Sequence, residues 1–304
     1  MIVLIPVLLM LAPVALVVFV VWLGRDVLVR KHRHPIEMRL VHLPGQRLRQ
    51  RLDAEARDMM GNTAMLFVIP LLTALIWLLD RLRGLDWTTV QFGLGDALLV
   101  LATVIVLVYF AVLLVRAAIR RRRYREGLYA ELATAQQLQR LIPRGCMVFH
   151  DVPARENGRD FNIDHVVIGP HAVFAVETKS RRKPPHGGKD SARVIYDGVR
   201  LKFPEHSETR PIEQVRAQAR WLQRYLASEL GESVPVVAVL SLPGWCVEPV
   251  KEMKSPDVWV RNLRHPGLML WDRFGPVLDQ PKRRRIANAI MKRYPQVVPW
   301  KHGD

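Results

Sequence analysis

The sequence predicts an α/β domain with a mixed sheet and the element order αβββαβ, preceded by three transmembrane helices. Two observations carry this prediction. Three apolar runs fill the first part of the chain, and short β-branched runs alternate with helical patterns after residue 125. The expected division is a membrane anchor at 1–123, an α/β domain at 124–245, and a basic C-terminal extension at 246–304 that packs on or flanks the domain.

The three predicted spans lie at about residues 2–23, 61–79 and 97–115. The first run carries no charge over a length that crosses a bilayer core. It lacks the basic start and the small-residue cleavage site of a signal peptide, so an uncleaved anchor is favoured. Residues 46–57 have a helical composition and are expected either to lie on the membrane surface or to continue into the second span.

Basic residues flanking the spans predict the orientation. The loop 25–60 contains nine Lys and Arg residues, the loop 80–96 contains two, and the third span leads into Arg116 and Arg120–Arg123. The positive-inside rule therefore places the 25–60 loop and everything after residue 116 in the cytoplasm, with the N-terminus outside. The expected location is a bacterial inner membrane.

The net charge of +17 has two explanations, which are attraction to anionic lipid and a nucleic-acid-binding surface. The basic residues beside the spans suit the first explanation. Basic clusters within the domain could serve the second, at Arg181–Lys183, Lys189 and Lys282–Arg285. For any single one of these residues, an ordinary solvated charge is the simpler interpretation.

The two cysteines, Cys146 and Cys246, both fall in the part assigned to the cytoplasm. A disulfide is not expected in that compartment. Two cysteines without CxxC spacing also do not make a zinc site.

The elements of the domain follow from local periodicity. Residues 126–141 form a helical stretch in which Glu131 sits within the apolar stripe instead of on the polar face. The remaining expected elements are a strand at 146–152, a polar loop at 156–160, a hairpin of Phe161–Ile168 and Ala172–Lys179, a weak strand pair at 192–195 and 199–203, a helix opening at Pro211, and strands at 234–240 and 258–260.

Two acidic residues in the hairpin occupy positions that an apolar strand would not favour. If Gly169–Ala172 forms a four-residue loop, Val166 lies opposite Ala175, and Asp164 lies opposite Glu177. Two neighbouring carboxylates repel one another, and burying them unpaired costs several kcal/mol. The pair therefore predicts a counter-charge.

A divalent metal ion between Asp164 and Glu177 is one such counter-charge, since Mg²⁺ is usually held by one or two carboxylates together with water and substrate phosphate. Lys179, two residues beyond Glu177 on the same face, could orient a water or stabilise transition-state charge. Side chains from two helices could complete the site, namely Glu131, Gln214 and Gln218.

A plain buried ion pair is the alternative. Asp164 could pair with Lys179 or His165, leaving Glu177 at a frayed strand end. His165 points to the opposite face from Asp164 and is expected to be a packed residue rather than a ligand.

These residues resemble the nuclease-related domain, NERD, a branch of the PD-(D/E)xK nuclease-like superfamily. The resemblance spans about residues 124–245 and rests on Gly127 with Glu131, Asn162–His165, Gly169-Pro170, Val173–Lys179 and Pro211–Gln214. It implies a restriction-endonuclease-like core and Mg²⁺-dependent phosphodiester hydrolysis, with Mn²⁺ as a substitute. It also implies Asp164 and Glu177 as metal ligands, Lys179 as the catalytic lysine, and supporting roles for Glu131 and Gln214.

The expected function is therefore a membrane-tethered, cytoplasm-facing nuclease acting on DNA or RNA. A non-catalytic module that binds nucleic acid or a protein at the membrane is the main alternative. A lipid-interacting scaffold is a third, although it leaves the carboxylates unexplained. The combination of Asp164, Glu177 and Lys179 favours the enzyme, since a binding module has no need for all three.

Overall fold

The computed structural model describes residues 43–83, 93–185, 189–249 and 256–294. These residues fall into two compact units. The first comprises residues 53–83 and 93–121, and the second comprises residues 43–52 together with the described residues from 122 onward.

Two long helices supply the first unit. Helix α1 spans Gln46–Arg83 and helix α2 spans Leu94–Gln139. Both are long and apolar enough to cross a membrane, and few or none of the side chains in their apolar stretches are buried. Large apolar side chains such as Ile76 and Ile105 face outward. Such continuous apolar exposure is unfavourable in water and is typical of a surface that contacts lipid or protein.

Polar side chains join the two helices within this unit. The Thr103 hydroxyl donates to the Thr73 hydroxyl at 3.1 Å, in the middle of the apolar stretches. The Trp77 indole N–H donates to Asp96 at 3.0 Å. Arg120 pairs with the buried Glu55 at 2.7 Å. These contacts connect α1 and α2 at three levels.

The helices are longer than the predicted spans 61–79 and 97–115. Residues 46–57 form the start of α1 and continue into its apolar part, which is the second of the two expectations for this segment. The helix expected at 126–141 is not a separate element, because the polar residues after 116 continue α2 without a break up to Gln139. The first predicted span, at 2–23, lies outside the described residues.

The second unit is a mixed α/β domain with two sheets. A five-stranded sheet has the order β1-β2-β3-β7-β9, and a four-stranded sheet has the order β6-β5-β4-β8. The strands are β1 Met147–Glu156, β2 Arg159–Ile168, β3 Val173–Thr178, β4 Arg193–Tyr196, β5 Leu201–Lys202, β6 Ser207–Glu208, β7 Val236–Ser241, β8 Cys246–Pro249 and β9 Val258–Arg261. Helix α3 spans Arg210–Leu230 and helix α4 spans Gln280–Met291.

The larger sheet is antiparallel on one side and parallel on the other. Strands β1, β2 and β3 pair antiparallel, whereas β3, β7 and β9 run parallel. Helix α3 connects β6 to β7, and β7 pairs with β3 in parallel. The helix begins at Arg210 with Pro211 in its first turn, and it ends before Gly231, which has the left-handed conformation at φ +72.

The register of the β2–β3 hairpin is the predicted one. Ile168 pairs with Val173, Val166 with Ala175, and the ladder ends at His165 and Val176. The four-residue connection begins at Gly169, whose N–H donates to Ala172 O at 2.9 Å. A Cβ at Gly169 would stand only 2.5 Å from the backbone oxygen of Met269, so the close approach of that chain requires glycine.

The turn between β1 and β2 is shorter than the sequence predicts. The polar loop expected at 156–160 is a two-residue turn of Asn157 and Gly158, both with positive φ, so β1 and β2 are longer than predicted. The Asn-Gly pair fits this turn because both residues tolerate positive φ. The weak strand pair near Asp197 is also present, and the Asp197 carboxylate accepts from the backbone N–H groups of Val199 and Arg200.

Each face of the large sheet packs against a helix. On one face, Val166, Ala175 and Leu240 contact a core that contains α3. On the other face, Phe174 and Val176 pack against Leu138 and Leu141, at and just after the end of α2. The alternation of side chains along β3 therefore buries both faces, as its unbroken apolar run requires.

The segment after residue 245 also contributes to both sheets. Strand β8 extends the smaller sheet and β9 is the edge strand of the larger one. Helix α4 packs on the α3 side through Ile286 and Ile290. Its N-cap Asp279 accepts from the Lys282 N–H at 2.8 Å.

Candidate active site

The carboxylate of Glu177 is the centre of a polar cluster at the end of β3. Only 3% of this residue is exposed. Its Oε1 accepts from the Gln214 amide at 2.7 Å and from the Lys179 ammonium group. Its Oε2 accepts from the Gln218 amide at 2.7 Å. Three donors from α3 and the end of β3 therefore fix one buried carboxylate.

Helix α3 positions the two glutamines because they are four residues apart and face the same strand. The Gln218 amide also donates to Asn162 O at 3.2 Å, which ties β2 to β3 through the helix. Only 3% of Gln218 is exposed, and its Oε1 has no hydrogen-bond partner among the described residues.

Asp164 lies one step beyond the last ladder pair of the hairpin. Its Oδ2 accepts a hydrogen bond from the backbone N–H of Thr178 at 2.7 Å. Desolvation raises the pKa of Asp164 well above its usual range, and the charges of Glu177 and Glu131 raise it further. Asp164 therefore lies in the same electrostatic site as Glu177.

Glu131, on α2, is the third carboxylate of this site. Desolvation raises the pKa of Glu131 to about 7, with further contributions from the negative charges of Asp151 and Glu177. The positive charge of Lys179 acts in the opposite direction. The negative charges of Asp151 and Glu177 together raise the pKa of Glu131 more than the positive charge of Lys179 lowers it.

Asp151 is a residue that the sequence analysis did not identify. It has a φ of +50 within β1, where the ladder leaves it unpaired between His150 and Val152. Its Oδ1 accepts from the Asn162 amide at 2.6 Å. Aspartate tolerates positive φ better than most residues, and such strain is often found at functional sites. No pattern in the sequence signals this conformation.

The structure therefore brings together all five residues named from the sequence, namely Asp164, Glu177, Lys179, Glu131 and Gln214. Their catalytic roles remain predictions. The plain ion pair between Asp164 and Lys179 is not formed, because Lys179 pairs with Glu177. His165 is fully buried on the other face, where its Nδ1 lies 2.8 Å from His150 Nδ1.

Asp164 and Glu177 are the residues that could hold a metal ion. Within the described ranges, no three His, Cys, Asp or Glu side chains form a metal-binding group. Two carboxylates with the other positions left to water and phosphate nevertheless match the donor set of Mg²⁺. The repulsion that raises the pKa of Asp164 is also what a divalent cation would relieve.

Several of the basic clusters are engaged in ion pairs. Arg181 makes a bidentate pair with Glu208, and Arg182 pairs with Glu126. Lys282 and Arg285 both pair with Glu232. The carboxylate partners therefore offset part of the positive charge of these clusters.

The fold and the site define a mixed α/β domain with a carboxylate and lysine centre at the end of a parallel strand. Residues 126–243 match the family model of the nuclease-related domain, NERD. The two long apolar helices, α1 and α2, both begin before this matched segment. No curated protein and no solved structure matches the chain.

Proposed function

We propose that this protein is a membrane-anchored nuclease that hydrolyses phosphodiester bonds in DNA or RNA with Mg²⁺, or with Mn²⁺ in its place. One observation carries the proposal, which is the buried Glu177 carboxylate held by Lys179 and two glutamines beside Asp164. The family match supports a nuclease-related role. The order of helix, three strands, helix and strand supports a restriction-endonuclease-like core.

Each polar residue has a distinct part in this proposal. Asp164 and Glu177 would hold the metal ion, and a bound ion would supply Lewis acidity at the phosphodiester. Gln214 and Gln218 fix the orientation of Glu177. Lys179, at the open end of the site, stabilises negative charge on the phosphoryl group in the transition state.

Glu131 has the property expected of a proton-transfer group. Its pKa is raised to about 7, near the value at which a carboxyl group can both accept and release a proton at neutral pH. We assign it a supporting role, in which it accepts the proton of the attacking water. The positive charge of a bound ion would lower its pKa and favour its basic form.

The membrane assignment is also part of the proposal. The exposed apolar stretches of α1 and α2 support two spans, and the uncharged run 2–23 supports a third. The distribution of basic residues supports a cytoplasmic domain, where nucleic acid is present. A bacterial inner membrane is the proposed location.

A non-catalytic binding module is the competing function, and one observation favours it. Both oxygens of Glu177 already accept hydrogen bonds, from Lys179, Gln214 and Gln218. A carboxylate satisfied in this way is stable without a metal ion. If that were its only role, the domain would bind nucleic acid without cleaving it.

Cleavage assays on the purified full chain in detergent distinguish the two functions. Labelled single- and double-stranded DNA and RNA would be incubated with Mg²⁺, Mn²⁺ or EDTA. We expect cleavage that requires the metal ion and that Asp164→Asn abolishes, since the substitution removes a charged ligand. Asp160→Asn, at an exposed site on the same strand, is the matched control and should retain activity. Binding without metal-dependent cleavage of any substrate would support the binding module instead.

A further inference from the structure

A pocket lies beside the candidate active site, at the carboxyl ends of strands β7 and β9. It has a volume of about 120 Å³. It is lined by Ala133, Thr134, Gln137, Ser241, Pro243, Gly244, Asn262, Leu263 and Arg264. These residues come from α2, from the end of β7 and from the segment that follows β9. None of them has a part in the proposed hydrolysis.

The strand register fixes where this pocket lies. Ser241 pairs with Thr178, which stands between Glu177 and Lys179, and it also pairs with Arg261 at the end of β9. On α2, Thr134 comes three residues after Glu131, so the two lie on one side of the helix. The pocket therefore opens at the carboxyl ends of parallel strands, next to the carboxylate site, where ligands commonly bind in α/β sheets.

Two hydroxyl groups and one amide oxygen of the pocket residues are buried. The hydroxyl groups of Thr134 and Ser241 lie 2.9 Å apart, and the two residues are 1% and 0% exposed. Whichever hydroxyl accepts this bond keeps its own proton for another partner. Gln137 Oε1 is also buried, and it has no hydrogen-bond partner among the described residues. Native proteins rarely leave such an acceptor unsatisfied.

The rim of the pocket carries positive charge. Arg264 is exposed and has no ion-pair partner within the part of the chain that the structure describes. Lys183 Nζ lies 3.9 Å from the place that a Cβ on Gly244 would occupy. A cationic rim above a floor of hydroxyl and amide groups matches one nucleotide, whose phosphate is anionic and whose base or sugar offers hydrogen-bond donors.

We propose that this pocket receives the base of one unpaired nucleotide of the substrate strand, next to the nucleotide whose phosphodiester is cleaved, while the phosphate stays at the rim. This inference rests on the proposed function and specifies its substrate class as single-stranded nucleic acid or the unpaired end of a duplex. Gln137 Oε1 accepts a hydrogen bond from the base or sugar, and Arg264 contacts the phosphate. A fully paired base cannot enter, because its edge is occupied by its partner and its faces are stacked.

Binding measurements without turnover test the pocket. The full chain in detergent would be titrated into labelled single-stranded oligonucleotides and blunt duplexes in EDTA. Gln137→Leu should weaken single-strand binding by roughly 5-fold, the value of one net hydrogen bond. Arg264→Gln should weaken it by a similar factor and reduce the slope of log affinity against log salt by about 1.

The chain supplies a matched control for each variant. Gln136→Leu changes the exposed neighbour of Gln137, and Arg140→Gln removes an exposed arginine from the end of the same helical segment. Both controls should bind single strands like the wild type. Gln137→Leu should not lower the melting temperature, because it removes a buried acceptor without a partner. Neither pocket variant should change binding to a blunt duplex.

The outcomes separate this inference from the proposed hydrolysis. Equal single-strand binding by the pocket variants and their controls would overturn the pocket, whether or not the wild type cleaves. A clear fall in the melting temperature of Gln137→Leu together with its loss of binding would also overturn it, because Gln137 would then have a structural role. Selective loss of single-strand binding supports the pocket even if no metal-dependent cleavage is found, in which case only the proposed hydrolysis fails.

Discussion

The backbone N–H of Thr178 donates a hydrogen bond to the carboxylate of Asp164 across the end of the β2–β3 hairpin, at 2.7 Å. This bond extends the pairing of the two strands beyond the last ladder pair, His165 and Val176. It holds Asp164 at the place where the carboxylate of Glu177 is fixed by α3. The geometry of the site therefore depends on the helix as much as on the hairpin.

Gln218 should be necessary for the placement of Glu177. Replacing it by leucine leaves Glu177 Oε2 without its 2.7 Å donor and frees Asn162 O. We expect a loss of about 1–3 kcal/mol in the free energy of unfolding, because a buried charged acceptor becomes unsatisfied. Affinity for Mn²⁺, measured by calorimetry, should also fall.

Gln223→Leu is the control, since Gln223 is exposed on the same helix. It should leave both quantities unchanged. If Gln218→Leu matched this control in stability and in Mn²⁺ affinity, the helix would have no part in organising the site.

Asp151 should influence metal binding through its charge and not through an effect on the stability of the domain. Asp151→Asn keeps an acceptor for Asn162 and tolerates the φ of +50, so the melting temperature should change little. Among the neighbouring charges, Asp151 makes the largest contribution to the raised pKa of Glu131. Losing this negative charge should therefore weaken Mn²⁺ binding.

Asp151→Val tests the backbone separately. A β-branched residue is strained at positive φ, so this variant should lose about 1–2 kcal/mol of stability as well. The control Asp160→Asn should leave Mn²⁺ affinity and stability as they are. Unchanged Mn²⁺ affinity in Asp151→Asn would exclude Asp151 from the site.

The buried histidine pair should make the stability depend on pH. Desolvation lowers the pKa of His150, and desolvation together with His150 lowers that of His165 to about 3. The pKa values of both histidines are therefore lower in the folded state than in the unfolded chain, so protonation below about pH 6.5 favours unfolding. Stability should fall as the pH drops from about 6.5, by up to about 1.4 kcal/mol per pH unit for each histidine.

Thermal unfolding in EDTA at several pH values measures this effect. Glu131 and Asp164 act in the opposite direction, since their raised pKa values favour the folded state at low pH. The relevant quantity is therefore the difference between the wild type and a His150→Leu/His165→Val double variant. This difference in the free energy of unfolding should shrink as the pH falls. If the difference in the free energy of unfolding did not change with pH, the pKa values of the two histidines would not be lowered in the folded state.

The membrane topology can be tested with reporter fusions. Nine basic residues in the loop 25–60 against two in the loop 80–96 predict that the second loop is outside. Fusions after residues 30 and 125 should report the cytoplasm, and a fusion near residue 88 should report the outside. A cytoplasmic signal at residue 88 would reverse the orientation.

The hairpin and its carboxylates could be predicted from the sequence because side chains alternate with a period of two. The four-residue loop predicts the register that is observed as far as His165 and Val176, next to Asp164 and Glu177. The continuity of α2 was not predicted, because a run of arginines after the apolar stretch is compatible both with a helix end and with its continuation. The charged residues are helix formers, and the helix continues.

Other parts of the site depend on contacts between distant segments. Asp151 takes a left-handed conformation that nothing in its local sequence specifies. The pocket at Gln137 requires β9 to lie beside β7, a pairing between segments that are joined through a long connection. Periodicity identifies which residues share a face, but it does not determine which strands become neighbours.

The rate of phosphodiester cleavage by Lys179→Ala in Mg²⁺ tests the central claim most directly. Asp164 and Glu177 remain in this variant, and Gln214 and Gln218 still hold Glu177, so folding and Mn²⁺ binding should be largely preserved. If Lys179 stabilises the transition state, turnover should fall by on the order of 10² or more while nucleic-acid binding persists. A wild type that cleaves no nucleic acid, or a Lys179→Ala variant that cleaves at the wild-type rate, would contradict this account of the site.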